Sequence, residues 1–459
     1  MPGQPHGERN AASRSPAATA LRNFSSQWVL IAQGTGIIAV ILHQLDYQFK
    51  GLKTISEIVW VYSIALLLAS VLLYLLRTAI YPSHVKHSLK TSLLELTSLS
   101  NTMTTFFSII EMIALTLVAD WSPTWGLVAY ILWWINTSLS ILACIAIPYI
   151  NFKHQPPTIP HMTPALLLPF LAAITSAAAG GTLAIHGSLS PRLQVPMILV
   201  SYLQLGFGFP IALIFDGIFL NRLLHANAFP TIGIVYQTMI LVGPWGQGSF
   251  ALQILGQAVG KGSFAAYGSG RGTILTAEAT IPISIASQFF GFISWGYDAF
   301  WCAFASLMII RCIADQPGGW RHTQFSVGVW SIVFPLGVFI NGAVNLGKIL
   351  DSPTFDVLST AFFLILLVIW IFLQILTVKG IWTGKLLGLD KGWRNGRYRR
   401  EDEGEVYHEV KGKGKENGKE NGDGGGRSTN DADLVEKGEG GSEPRRRKGE
   451  IDIPQLRVA

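Results

Sequence analysis

Apolar residues in this chain come in ten long runs separated by short polar segments, at about 24–44, 57–80, 94–118, 124–149, 164–186, 194–220, 228–257, 282–310, 325–347 and 355–378. A helix needs roughly 20 mostly apolar residues to cross a hydrocarbon core of roughly 30 Å. Each run meets that length, so the pattern predicts an all-α integral membrane protein with ten transmembrane helices. The runs are not alike. The second and tenth contain neither Gly nor Pro, whereas the fifth carries Pro169, Gly180 and Gly181, the seventh Gly243, Pro244, Gly246 and Gly248, and the ninth Gly328, Pro335, Gly337 and Gly342. The first has Gly34 and Gly36, and the third is rich in hydroxyls, among them Thr97, Ser98, Thr104, Thr105 and Ser108. Most even runs are smooth and apolar; the sixth, with Gly206, Gly208 and Pro210, is the exception.

Backbone freed by Gly or Pro at membrane depth is tolerated against protein or water, not against lipid. Small residues also let helices approach closely. The alternation therefore predicts an inner ring of odd helices around a conduit and an outer ring of even helices facing lipid, with tight packing as the plainer use of the same small residues.

Composition agrees with the membrane reading: half the residues are hydrophobic and 14% are charged, against roughly 25% charged in a soluble domain. The net charge of +6 does not point to nucleic acid, because Lys and Arg flank the ends of the bundle. Arg9, Arg14 and Arg22 precede the first run, and Lys379, Lys385, Lys391, Arg394, Arg397, Arg399 and Arg400 follow the last. The positive-inside rule then places both termini in the cytoplasm. Residues 1–23 lack the apolar core of a signal peptide, and 381–459 run through Gly, Lys and Glu with almost nothing to bury. Both are expected to be disordered, flanking a membrane domain over 24–380.

Chemistry-bearing motifs are scarce. Gly34-Thr35-Gly36-Ile37-Ile38-Ala39 fits a dinucleotide fingerprint but lies inside a membrane run rather than after a strand. Gly260-Lys261-Gly262-Ser263 lacks the first Gly of a phosphate loop, since position 255 is Leu255. No His pair has metal-ligand spacing, and Cys144, Cys302 and Cys312 are read as buried, reduced thiols. Neither enzyme, metal nor cofactor is expected. The ionisable residues within the runs are Glu95, Glu111, Asp216 and Asp298, of which Glu111 and Asp216 are the candidates for proton coupling. No Arg or Lys stands in the middle of an odd run. Hydroxyls, backbone N–H groups and helix dipoles can still pass anions.

Four segments carry a resemblance: Gly34-Thr35-Gly36-Ile37, Leu132-Trp133-Trp134, Gly243-Pro244-Trp245-Gly246-Gln247-Gly248-Ser249-Phe250 and Trp330-Ser331-Ile332-Val333-Phe334-Pro335-Leu336-Gly337. They resemble the tellurite-resistance/dicarboxylate transporter family, over about residues 23–390. The resemblance implies five helical hairpins, odd helices lining a central pore, a small-anion substrate, and a homotrimer in the membrane. It implies a pore closed by Phe334, with Pro335 and Gly337 shaping the helix behind it. The anion path is expected along Gly34, Thr35, Gly36, Thr104, Ser176, Gly180, Gly243, Pro244, Gly246, Gln247, Gly248 and Ser249. The seventh-run motif is most similar to sulfite efflux pumps, whereas Tyr47-Gln48-Phe49-Lys50-Gly51-Leu52 is more similar to malate permeases. Gln33 and the Leu96–Met103 segment depart from the family pattern. The expected function is potential-driven sulfite or bisulfite export through the plasma membrane, with proton-coupled malate uptake as the alternative.

Overall fold

A computed structural model describes residues 15–155, 162–226, 230–267, 272–315 and 325–389. Among them, nine helical segments are long and apolar enough to cross a membrane. With the shorter Val242–Gly260 helix, the long segments in chain order are α1 (Ser26–Gln44), α2 (Leu52–Ile80), α3 (Leu93–Asp120), α4 (Thr124–His154), α5 (Pro164–His186), α6 (Pro191–Leu224), α7 (Val242–Gly260), α8 (Ala277–Ala314), α9 (Val327–Leu350) and α10 (Pro353–Trp382). The protein is thus helical and polytopic.

Burial alternates along the chain. In α1, α3, α5 and α9, between 72 and 100% of the most apolar stretch is buried; in α2, α4, α6, α8 and α10 the share is between 17 and 39%. Every residue of α7 is buried except Trp245, Leu252, Gln257 and Gly260. The alternation of small and bulky residues thus becomes an alternation of buried and exposed helices. Each buried helix packs on the exposed one that follows it, and α1 also packs on α3, α3 on α5, α5 on α7, α7 on α9, and α9 on α1. Large side chains such as Leu72, Ile145, Leu203, Phe290 and Val368 cover the outward faces of the even helices, as lipid contact requires.

The prolines of the odd helices do not break them at mid-depth. α5, α7 and α9 each begin as a 3₁₀ turn, at Pro164–Leu167, Val235–Leu241 (just ahead of α7) and Val327–Ile332. The α-helix follows, with Pro169, Pro244 and Pro335 in its first turn. There a missing N–H leaves no hydrogen bond unmade. The 228–257 run accordingly yields an α-helix only from Val242. In α3 the irregularity comes later, as a π-turn at Ile113–Leu117.

Two boundaries differ from the sequence expectation. Pro16–Asn23, placed above in a disordered terminus, is an α-helix: Ser15 Oγ accepts from Ala18 N and Pro16 occupies the first position, a favourable helix start. At the other end α10 runs to Trp382, a turn follows at Lys385–Leu387, and Asn23 Nδ2 donates to Leu387 O at 3.3 Å. The helical body therefore extends past 380. The remainder of the expected tail, from 390, lies outside the described residues. All three cysteines are free; Cys144 is buried, and Cys302 and Cys312 are partly so.

At the C-terminal ends of the odd helices, Lys348 Nζ donates to Gln44 O at 2.6 Å and lies 3.8 Å from Asp46. Lys261 Nζ reaches Ile185 O at 3.5 Å. Both lysines therefore sit on the last carbonyls of a neighbouring helix, where the macrodipole is negative. Burial raises the Asp46 carboxyl above the usual carboxylate range, against the opposing pull of Lys348.

Candidate functional site

The glycines of the odd helices are close-approach points between helices. A Cβ on Gly34 would stand 3.0 Å from Val333 on α9, one on Gly36 3.2 Å from Ser63 and Ser108, and one on Gly337 2.7 Å from Ile37. Gly180 abuts Ser201 and Trp133, Gly243 meets Leu171, and Gly248 meets the Phe209 ring. At Gly246 the added carbon would lie 2.5 Å from Asp298 Oδ2 and 2.9 Å from the Phe339 backbone nitrogen. Backbone cannot move aside as a flexible side chain can. Gly246→Ala is therefore expected to cost about 1–3 kcal/mol of overpacking strain, read as a lower melting temperature of the detergent-solubilised protein. An unchanged melting temperature would mean that α7 and α9 can separate freely.

The hydroxyls are likewise engaged. Thr35 Oγ1 donates to Ile31 O at 2.7 Å and accepts from Trp370 Nε1 at 3.2 Å and Gln374 Nε2 at 3.4 Å, so it faces α10. Ser176 shares a 2.6 Å hydrogen bond with Thr137 on α4. Thr104 Oγ1 donates to Ser100 O at 3.3 Å. Ser249 Oγ donates to Gly291 O at 2.7 Å and accepts from Gln253 Nε2 at 2.8 Å. Gln253 Oε1 in turn accepts from Asn345 Nδ2 at 3.0 Å, and Asn345 Oδ1 from Gln257 Nε2 at 3.2 Å. Of this polar clamp between α7 and α9, Ser249 belongs to the sequence-derived site, whereas Gln253, Gln257 and Asn345 do not. Its signal was the i, i+4, i+8 stripe of Ser249, Gln253 and Gln257.

The contacts also fix which way each helix is turned. Along α9, Gly337 meets α1, Gly342 meets Trp295 of α8 and Gly246 of α7, Phe339 stacks on Trp295 at 5.0 Å, and Gly347 meets Asp356 of α10. At about 100° per residue, Phe334, Val338, Asn341 and Asn345 share one stripe between the α1 and α7 contacts, away from α8 and α10. Along α1, Thr35 faces α10, Gly36 faces α3, and Gly34 and Ile37 face α9. Gln33 is left opposite Thr35. Following the same sense of rotation past Ser108 on α3, the next residues are Thr104 and Glu111. Depths match as well. Gln33 lies level with Phe334 through the contact of Gly34 with Val333. Glu111 and Asn341 lie within about 3 Å of one another along the axis, given the Gly36–Ser108 and Ile37–Gly337 contacts and a rise of about 1.5 Å per residue.

Phe334 is 2% exposed. Around its stripe stand buried polar atoms with no protein partner: Gln33 Oε1, Glu111 Oε1, and both Asn341 Oδ1 and Nδ2. Gln247 Oε1 on α7 is another. Unpaired buried polar groups are costly and call for an explanation. The sequence marked Glu111 and Gln247 but passed over Asn341, and it noted Gln33 only as a departure. Asp216 has different surroundings. It sits on α6 and accepts from Trp245 Nε1 at 2.7 Å, about a quarter turn of α7 away from the Gly246 contact with α9. Asp298, next to Gly246, has neither carboxylate oxygen bonded.

These features define a polytopic helical membrane protein whose buried helices hold unpaired polar side chains and a buried aromatic ring. The chain belongs to the voltage-dependent anion channel family, whose model matches residues 23–378. It is similar to the sulfite efflux pump SSU1 of Arthroderma benhamiae, at 30% identity over 363 residues covering 78% of this chain and 91% of the relative. The SSU1 pump of Trichophyton rubrum matches to the same extent. The malic acid transport protein of Schizosaccharomyces pombe is 25% identical over 374 residues, covering 79% of this chain and 80% of the relative. The chain is accordingly a multi-pass membrane protein of an anion-transport family.

Proposed function

We propose that the protein exports sulfite, chiefly as bisulfite, across the plasma membrane through a conduit enclosed by α1, α3, α5, α7 and α9. The observation that carries the choice of anion is the 30% identity to sulfite efflux pumps over 91% of their length, against 25% for the malic acid transporter. Phe334 supports the conduit, because it lies on the stripe of α9 turned away from the outer helices. In this reading the five buried helices form the inner ring, α7 being the tenth membrane crossing, and each is paired with an exposed helix in a hairpin. Phe334 is the gate, Gln33 and Thr104 share its level, and both termini are cytoplasmic. Gly34, Gly36, Gly180, Gly243, Gly246 and Gly248 hold the wall together rather than contact the anion.

An inside-negative potential of about 100 mV drives each negative charge outward by roughly 2.3 kcal/mol, so export needs no nucleotide. The test is expression in cells lacking their own sulfite exporter. Sulfite tolerance should rise and intracellular sulfite should fall, without malate-dependent acid uptake. Unchanged tolerance together with new malate uptake would replace this reading with the dicarboxylate permease.

A further inference from the structure

Among the stripe residues of α1, α3 and α9 named above, Glu111 is the only ionisable one. Its Oε1 is buried without a partner, and so are both polar atoms of Asn341 at the same depth. The two side chains are 2% and 1% exposed. They stand seven residues of α9, about 10 Å, beyond Phe334. Two residues past Glu111 the helix loosens into the Ile113–Leu117 π-turn, a feature often found at functional sites.

Among the described residues no charged side chain pairs with Glu111. The ionisable groups of the buried helices that flank it, His43 on α1, His186 on α5 and Lys348 on α9, all stand in last turns. On α3 itself, Glu95 is paired with Arg77 of α2, and Asp120 is at the far end. On α4, Lys153 and His154 occupy the last turn.

A carboxylate at this point opposes every anion in the conduit, because Coulomb repulsion is strong where water is scarce. The protonated acid does the reverse and offers an O–H donor beside the Asn341 Nδ2–H donors. We propose that Glu111 and Asn341 form a proton-dependent binding layer for small monovalent oxyanions, passable when Glu111 carries its proton and shut when it does not. The proton comes from water and returns to it, so it gates passage without travelling in fixed ratio with the anion. This inference rests on the conduit reading above, and it assigns to that conduit its pH control and its preference for singly charged cargo.

The test uses the full chain in liposomes with nitrate as the probe, whose charge is the same between about pH 5 and about pH 9. Wild-type nitrate flux should be about tenfold or more higher at the acid end, the factor that a barrier change of about 1.4 kcal/mol gives. Glu111→Gln, which keeps a donor and cannot ionise, should be equally active at both ends. A flat wild-type profile overturns the proposal, as does a Glu111→Gln protein that retains the wild-type slope. Should Glu111→Gln fail to fold, Asn341→Asp adds a second ionisable group to the layer and should lower flux further at the alkaline end; an unaltered profile overturns the proposal. The conduit is checked separately by Phe334→Ala in the same liposomes. If that change leaves nitrate flux unmoved while the pH slope still depends on Glu111, the gate assignment fails and the binding layer stands.

Discussion

Shortening Phe334 to Ala is expected to raise anion flux per surface molecule roughly tenfold, the change produced by removing about 1.4 kcal/mol from a barrier. Discrimination among small anions should weaken at the same time. The ring is 2% exposed and shares its stripe with Val338 and Asn341, so in the proposed conduit its loss would open the path between α1, α7 and α9. Pro335 still shapes the first turn behind it. A residue that served only packing would behave in the opposite way. Phe→Ala in a well-packed core costs about 3–5 kcal/mol, and flux would fall along with protein level. Efflux of radiolabelled anion normalised to surface protein separates the two, and a lower normalised value would sink the gate.

The largest expected effect on stability lies far from Phe334. Arg77 at the end of α2 forms a buried ion pair with Glu95 at the start of α3, with side-chain exposures of 4% and 6%. Glu95 Oε2 also accepts from Ser26 N at 3.2 Å, Ser26 Oγ donates to Glu95 O at 2.7 Å, and Arg77 Nε donates to Arg22 O at 3.0 Å. The Tyr74 ring lies 5.6 Å from the guanidinium. One pair thus ties the Pro16–Asn23 helix to the starts of α1 and α3 and the end of α2. Glu95→Ala leaves the Arg77 charge buried and unpaired, which should cost about 3–5 kcal/mol. Replacing both partners by apolar residues of similar volume, Arg77→Met with Glu95→Leu, should recover most of that loss, because neither charge is then stranded. The measurement is thermal unfolding in detergent of the single and double variants. A Glu95→Ala protein that melts with the wild type would show the pair to be dispensable.

The alternation of helix character was legible because it is one-dimensional: a helix that must be approached closely on all sides is written in Gly, Ala, Ser and Thr, and one that meets lipid is written in Leu, Ile, Val and Phe. Whether a given small residue lines a path or touches a neighbour was not legible. Gly34 and Thr35 are adjacent in sequence yet face α9 and α10, and only packing determines the rotation. The Arg77–Glu95 pair was hidden for a related reason. Glu95 reads as a residue near a helix end, and its partner stands 18 positions earlier on another helix. The prolines were visible, but their depth was not. A 3₁₀ turn at the start of α5 and α9, and just ahead of α7, moves the proline into the first α-turn, where it does little harm.

The glycine contacts also have a mechanical meaning. α1, α7 and α9 already touch at Gly34, Gly246 and Gly337, where even one methyl group would collide with the adjoining helix. In the proposed conduit, staves fitted this closely would make a stiff hoop, because close-packed protein resists compression and transmits strain, and such a wall would have little slack to dilate or pinch by degrees. Changes of bore would then fall to single side chains turning about their own bonds rather than to the microsecond-to-millisecond rocking of whole helices. In that reading the frame stands still while ions pass.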